Sequence, residues 1–172
     1  DFSKNFEHEQ IIKDSDSVIM NFVVAPASDH ASGLNLEGLV DYINKKTKFK
    51  INLILCIDYN EAIESLIQGK AQIGWLGPYA YLEASRSGAI EQFAIGLPKG
   101  KKTTNYQSVF IVRQDSTITS LEKIKNTRLI IGDYHSTSGY AVPKQVLSEV
   151  GINIDNENEF KEADDYIARI KV

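Results

Sequence analysis

A run of hydroxyl side chains is the part of the sequence whose chemistry is most distinctive. Ser136, Thr137 and Ser138 are adjacent, with an apolar run (residues 129–131) before them and a helical pattern (residues 140–150) after them. This order predicts a strand, a tight loop and a helix start. The first amides of a helix lack internal acceptors and its dipole favours negative charge, so the loop could bind an anion. In the alternative interpretation, Ser136 or Ser138 simply caps its own helix.

Glycines on either side of the hydroxyl run favour a backbone that a ligand can approach closely. Gly132 and Gly139 have no Cβ, so neither shields the loop backbone. The sequence around them offers no second chemistry: no nucleophile, base and acid are suitably spaced, and there is no nucleotide-type phosphate loop. We therefore expect a binding protein rather than an enzyme, and no cofactor.

The composition limits the kinds of partner. The chain has 172 residues, of which 42% are hydrophobic and 24% charged, as in ordinary soluble globular proteins. Its net charge of −4, without a basic block, argues against a nucleic-acid partner. A small anion stays possible, because a local group of N–H donors attracts one even in an acidic protein. The single cysteine, Cys56, lies in an apolar run, so we expect a buried apolar residue and no metal site.

Alternating strand and helix patterns predict an α/β fold with a mostly parallel sheet. In such sheets, ligands bind beyond the carboxyl ends of the strands. We expect a short helix at residues 120–124, an extended run at 106–113 and a final amphipathic helix at 160–172. The predicted strands are residues 18–24, 48–57, 71–76 and 91–97, and the predicted helices are residues 34–46, 61–68 and 79–87.

Several tracts, in a fixed order, resemble the phosphate/phosphonate-binding family of ABC-transporter solute receptors. They are Asp58-Tyr59 after the second strand, residues 69–81, residues 106–112 and residues 136–143. The resemblance extends from about residue 21 to residue 152. It implies a periplasmic-binding-protein type II (Venus flytrap) fold with an anion in the cleft between two lobes.

The same resemblance implies domain boundaries. Residues 1–17 would be a flexible extension, 18–106 lobe 1, 107–113 a hinge-crossing strand and 114–172 part of lobe 2. The family normally continues for another hundred or so residues, so the second lobe would be incomplete in this chain. Apolar edges left uncovered in it would favour pairing with another copy of the chain.

By similarity to the family, residues from both lobes would line the cleft. Ser136, Thr137 and Ser138 would hold the phosphoryl oxygens, and Tyr59 would add a phenol from the facing lobe. The further candidates are Leu76, Gly77, Tyr79 and His135. Leu76 has no hydroxyl where the family often has an aromatic residue, so a side-chain hydrogen bond is lost there. His135 would add a charge that depends on pH near neutrality.

The resemblance implies a receptor that captures phosphate, phosphite or a phosphonate and delivers it to an ABC permease in the membrane. We expect a periplasmic or membrane-anchored extracytoplasmic protein, as in a lipoprotein, although residues 1–10 are polar and carry no signal peptide. The alternative is an extracellular anion-sensing domain of a signalling protein with the same fold.

Overall fold

The computed structural model describes residues 13–14, 17–26, 36–97, 100, 102–125 and 127–155. The chain divides into two compact units, Asp1–Glu91 (unit 1) and Gln92–Val172 (unit 2). The helix predicted at residues 160–172 and most of the predicted N-terminal extension lie outside the described residues. The predicted boundaries of the lobes and of the hinge crossing stay predictions.

Unit 1 is an α/β unit built on a four-stranded sheet. Its strands are β1 (Lys13–Asp14), β2 (Ser17–Val24), β3 (Phe49–Leu55) and β4 (Ile73–Trp75), and its helices are α1 (Leu36–Lys46), α2 (Tyr59–Ile67) and α3 (Pro78–Ser85). Strand β2 pairs in parallel with β3 along one edge. Its other edge is shared by antiparallel β1 near the start and parallel β4 near the end.

Apolar side chains cover both faces of β2, which is why it forms the centre of the sheet. Phe22 and Val24 belong to one core cluster together with Leu36 of α1, whereas Val23 belongs to a second cluster with residues of α2 and α3. Because alternate residues of a strand face opposite sides, α1 covers one face of the sheet and α2 and α3 cover the other. The predicted parallel α/β arrangement is confirmed in unit 1.

Helix α2 begins two residues earlier than predicted because two side chains, those of Asp58 and Glu61, cap backbone amides at its N-terminal end. The Asp58 carboxylate accepts a hydrogen bond from the Glu61 amide (2.7 Å), and the Glu61 carboxylate accepts one from the Ile57 amide (2.7 Å). This reciprocal arrangement is a variant of the capping box. Gly69, with φ +70°, ends the helix as predicted.

Unit 2 contains a 3₁₀ turn (Leu121–Ile124), a π-helical turn (Thr137–Ala141) and α4 (Val142–Glu149). Its core consists of buried apolar residues: Ile124, Tyr140, Leu147, Ile152 and Ile154. The strands predicted at residues 91–97 and 129–131 are wrong, because no described residue pairs with them in a ladder. Residues 106–113 also lie outside regular secondary structure. An apolar run favours a strand but becomes one only with a partner.

Several large apolar side chains of unit 2 are exposed. Phe93 is 82% exposed, Ile95 66% and Val109 64%. Each belongs to a segment for which the sequence predicts an extended backbone.

Among the described helices of the chain, none is long and apolar enough to cross a membrane.

Candidate anion-binding site

The loop from Gly132 to Gly139 is closed by its own backbone. The Gly132 amide donates to the Gly139 carbonyl oxygen (2.9 Å), which joins the two ends of the loop. Inside it, the Ser136 amide donates to the Asp133 carbonyl oxygen (2.8 Å). The Ser136 hydroxyl accepts a hydrogen bond from the Gly139 amide (3.0 Å). We call residues 132–140 the serine turn.

The two glycines allow this closure because their backbones lie in contact. A Cβ at Gly132 would lie 3.1 Å from the Gly139 Cα, and a Cβ at Gly139 would lie 2.9 Å from the Ser136 Oγ. Both distances are shorter than ordinary van der Waals contacts between such atoms. The two glycines therefore allow one backbone segment to approach the other closely. That they also allow a ligand to approach stays a prediction.

The second half of the serine turn runs into a π-helical turn (Thr137–Ala141), a feature found frequently at functional sites. The Ser136 carbonyl oxygen accepts from the amides of Tyr140 (3.2 Å) and Ala141 (3.0 Å), and the Thr137 carbonyl oxygen accepts from the Val142 amide. Within the described residues, no acceptor is recorded for the Ser138 amide. The Ser138 amide and hydroxyl are therefore donors that a bound anion could use.

Ser136 caps the helix, as the alternative interpretation predicts, but this role does not exclude a ligand. As an acceptor from the Gly139 amide, its oxygen uses a lone pair and keeps its O–H group to donate. Capping and anion binding are therefore compatible in one hydroxyl. Ser136, Thr137 and Ser138 are all partly exposed.

Asp133 and His135 form a pair beside the hydroxyl run. The Asp133 Oδ1 accepts from the His135 amide (2.8 Å), an Asx-turn, and lies 3.0 Å from the His135 Nδ1. The carboxylate thus fixes the orientation of the imidazole ring next to Ser136.

A second polar cluster connects Lys144 of α4 to Asp155, in the segment after the helix. The Lys144 Nζ lies 2.7 Å from the Asp155 Oδ2, and the Tyr140 hydroxyl donates to the Asp155 Oδ1 (3.1 Å). The hydrogen bond from Lys144 lowers the pKa of Asp155, and the same contact raises the pKa of Lys144. Burial raises the pKa of Tyr140. We call these three residues the clasp.

The candidates in unit 1 all lie at the carboxyl ends of its parallel strands. Tyr59 is the first residue of α2, after β3, and only 6% of it is exposed because it packs in the core. Leu76 and Gly77 connect β4 to α3, and Tyr79 lies in the first turn of α3. Leu76 packs against the core and the other two are partly buried. Asp58 caps α2.

The structure thus brings Ser136, Thr137, Ser138 and His135 together in unit 2, and Tyr59, Leu76, Gly77 and Tyr79 to one edge of unit 1. Contact between any of them and a ligand stays a prediction. Sequence reasoning missed Asp133. An Asp in a loop is a recognisable signal, because its carboxylate often accepts from the backbone amide two residues later, as here in an Asx-turn with His135. Sequence reasoning also missed Ser108, whose hydroxyl donates to the Ser138 carbonyl oxygen (2.7 Å) from 30 residues earlier in the chain. No local pattern marks such a contact.

Solved structures of solute-binding proteins share this fold. A binding protein component of an ABC phosphonate transporter from Pseudomonas aeruginosa matches with a TM-score of 0.63 at 22% identity, over 84% of this chain and 50% of that one. PhnD1 from Prochlorococcus marinus, in complex with methylphosphonate, matches with a TM-score of 0.53 at 18% identity, over 83% of this chain and 53% of that one. The expected periplasmic-binding-protein fold class is confirmed.

The sequence identifies the family within that class. The family model for the phosphonate ABC transporter's periplasmic substrate-binding protein matches residues 22–169. The chain therefore belongs to this family. The phosphate-import protein PhnD of Mycolicibacterium smegmatis is 28% identical over 116 residues, which cover 66% of this chain and 36% of that relative. The chain thus spans about a third of this relative and about half of the solved structures.

Proposed function

We propose that this chain binds a tetrahedral oxyanion, namely phosphate, phosphite or a phosphonate, as part of the solute-binding component of an ABC transporter. The observation that carries the proposal is the serine turn in a chain of this family. Its Ser138 amide has no acceptor among the described residues, and hydroxyls of Ser136, Thr137 and Ser138 adjoin it. Such donors at a helix start favour an anion.

The free energy expected from a few hydrogen bonds is sufficient for a receptor that binds its ligand without reacting with it. Each hydrogen bond to a charged group contributes about 1.5–3 kcal/mol. A few of them, offset by desolvation and by ordering of the ligand, suffice for a micromolar dissociation constant, which corresponds to about −8 kcal/mol. His135, oriented by Asp133, adds a positive charge to the serine turn when its ring is protonated.

By similarity to the family, the candidate residues at the carboxyl edge of the sheet in unit 1 would also take part in ligand binding. Gly77 and Tyr79 offer backbone and phenol groups at the start of α3, and Leu76 offers an apolar side chain where the family often has an aromatic residue. Tyr59, which is only 6% exposed, is the remaining candidate in unit 1. In this proposal, phosphonates with a small apolar substituent suit Leu76.

The proposed setting is extracytoplasmic, with an ABC permease as the partner that receives the solute. We also propose that the chain, as it stands, associates with a second copy. The exposed apolar side chains of unit 2, Phe93, Ile95 and Val109 among them, support this proposal. Exposed apolar surface of this kind favours association.

Calorimetric titration tests the proposed function. We expect the chain to release or absorb heat with at least one of phosphate, phosphite, methylphosphonate and 2-aminoethylphosphonate, with a micromolar or lower dissociation constant. Nitrate, a planar monoanion, serves as the control and should give no saturable heat. Absence of saturable heat with all four phosphorus ligands would contradict the proposal.

A further inference from the structure

We infer that Ser108 is a positioning residue for the proposed anion site, acting through the backbone of the serine turn. The inference rests on the proposed function, because it concerns the same site. Ser108 belongs to residues 106–113, outside the serine turn, and its hydroxyl donates to the Ser138 carbonyl oxygen (2.7 Å). The bond is partly buried, so water competes with it less than at an exposed position.

The hydrogen bond from Ser108 completes the fixation of one peptide group. The Ser138 carbonyl and the Gly139 amide belong to the same planar peptide unit. Ser108 holds its oxygen and the Ser136 Oγ holds its N–H group (3.0 Å). The plane of this peptide is therefore set from both ends.

The next peptide group is fixed as well. The Gly139 carbonyl oxygen accepts from the Gly132 amide (2.9 Å), and the Tyr140 amide donates to the Ser136 carbonyl oxygen (3.2 Å). The backbone after Ser138 thus has little freedom, whereas the Ser138 amide before it has no recorded acceptor among the described residues. The Ser138 amide belongs to the preceding peptide group, whose Thr137 carbonyl oxygen accepts from the Val142 amide. Only the two backbone dihedrals at Ser138 separate this group from the fixed peptide that follows, so fixing that peptide narrows the directions in which the Ser138 amide can point.

A preorganised donor binds more tightly because less freedom is lost when the ligand arrives. Without the Ser108 hydroxyl, the Ser138 carbonyl oxygen would lose its recorded side-chain partner and the peptide could rotate. The Ser138 amide would then sample directions that do not suit the anion. Ser108 does not need to touch the ligand to have this effect, and the effect is on affinity more than on stability.

Two measurements on the full chain test the inference: the dissociation constant for methylphosphonate, and amide hydrogen exchange at Gly139 without ligand. We expect Ser108→Ala to weaken methylphosphonate binding by about fivefold, the value of one neutral hydrogen bond, and to speed exchange at Gly139. Ser108→Thr, which keeps the hydroxyl, should restore both. Thr127→Ala is the matched control, because the Thr127 hydroxyl donates to the Ile124 carbonyl oxygen (2.6 Å) in the same unit. It should change neither readout.

The outcomes separate the inference from the proposed function. If the unmodified chain binds none of phosphate, phosphite, methylphosphonate and 2-aminoethylphosphonate, the proposed function fails and the inference fails with it. If the unmodified chain binds and Ser108→Ala binds equally well, only the inference is overturned, even where exchange at Gly139 is faster. Should Ser108→Ala fail to fold, Ser108→Cys takes its place; its side chain has the same shape and is slightly larger, but it donates only weakly, and it must show the same loss of affinity.

Discussion

Ser136 and Ser138 have different hydrogen-bonding roles although they are chemically identical. The Ser136 oxygen accepts from the Gly139 amide, and the Ser136 carbonyl oxygen accepts from two later amides. Ser138 has its carbonyl oxygen held by Ser108, and its amide has no acceptor among the described residues. Ser136 therefore shapes the serine turn, and Ser138 presents donors on it. Sequence alone identifies the three hydroxyls but not this division, which depends on a contact with Ser108 far along the chain.

Thr137 provides the most direct test at the scale of a single residue. We expect Thr137→Ala to raise the dissociation constant for phosphate about 10- to 100-fold, because a hydrogen bond to a charged group is worth about 1.5–3 kcal/mol. The melting temperature should change by only about 3 °C, because the residue is partly exposed and lies outside the core.

Thr119→Ala is the control for this substitution. Thr119 is an exposed threonine of the same unit whose hydroxyl accepts from the Lys123 Nζ (2.9 Å). It should leave the affinity for phosphate unchanged. An unchanged dissociation constant in Thr137→Ala as well would leave Thr137 as part of the helix start and nothing more.

At the scale of elements, the sequence predicts unit 1 better than unit 2. The strands and helices of unit 1 form close to their expected positions because each apolar pattern finds a partner on β2 or on a face of the sheet. In unit 2, residues 91–97 and 129–131 have similar apolar patterns but no ladder among the described residues. Pairing over long distances along the chain is not encoded in a local pattern, so such strands cannot be predicted from it.

The clasp joins α4 to Asp155, and we expect the stability that it contributes to vary with pH. The folded state holds the pKa of Asp155 below its ordinary value of 3.8, through the hydrogen bond from Lys144. The stabilisation is therefore present above that value and is lost as the pH falls through the lowered pKa. Lys144 has a pKa above its ordinary 10.5, so its contribution is present below that value and is lost at higher pH.

We expect Asp155→Asn to unfold at lower urea concentration than the unmodified chain at neutral pH, and the difference to shrink as the pH falls below the ordinary pKa of Asp155. Urea unfolding followed by circular dichroism over a pH series measures this. Glu149→Gln is the control, since its carboxylate accepts from Gln145 on the same helix (3.2 Å) and not from the clasp. A difference that stays constant over the whole pH series would exclude the clasp as a source of stability.

At the scale of the whole molecule, family membership and covered length have to be considered together. The family match extends over residues 22–169, yet the chain spans about half of the solved structures that share its fold. The sequence was sufficient to predict the family and the fold class, because these depend on several tracts in a fixed order. The exposure of an apolar side chain in unit 2 depends on whether another part of the fold packs against it. A local sequence pattern does not contain that information.

We expect sedimentation velocity to show concentration-dependent association of the chain from low to high micromolar concentration, driven by apolar side chains of unit 2. Phe93→Lys should weaken the association, because Phe93 is 82% exposed and contributes apolar area there. Leu82→Lys, at a 56% exposed position in unit 1, is the control and should associate like the unmodified chain. A single monomeric species at every concentration would contradict the proposed self-association.

Binding of the oxyanion by the serine turn can be observed by NMR titration of the ¹⁵N-labelled chain with methylphosphonate. We expect saturable shifts that are largest for the amide of Ser138 and its neighbours in residues 136–139, with nitrate at equal ionic strength as the control. Saturable binding whose largest shifts lie outside the serine turn, or no saturable shift in these amides, would contradict it.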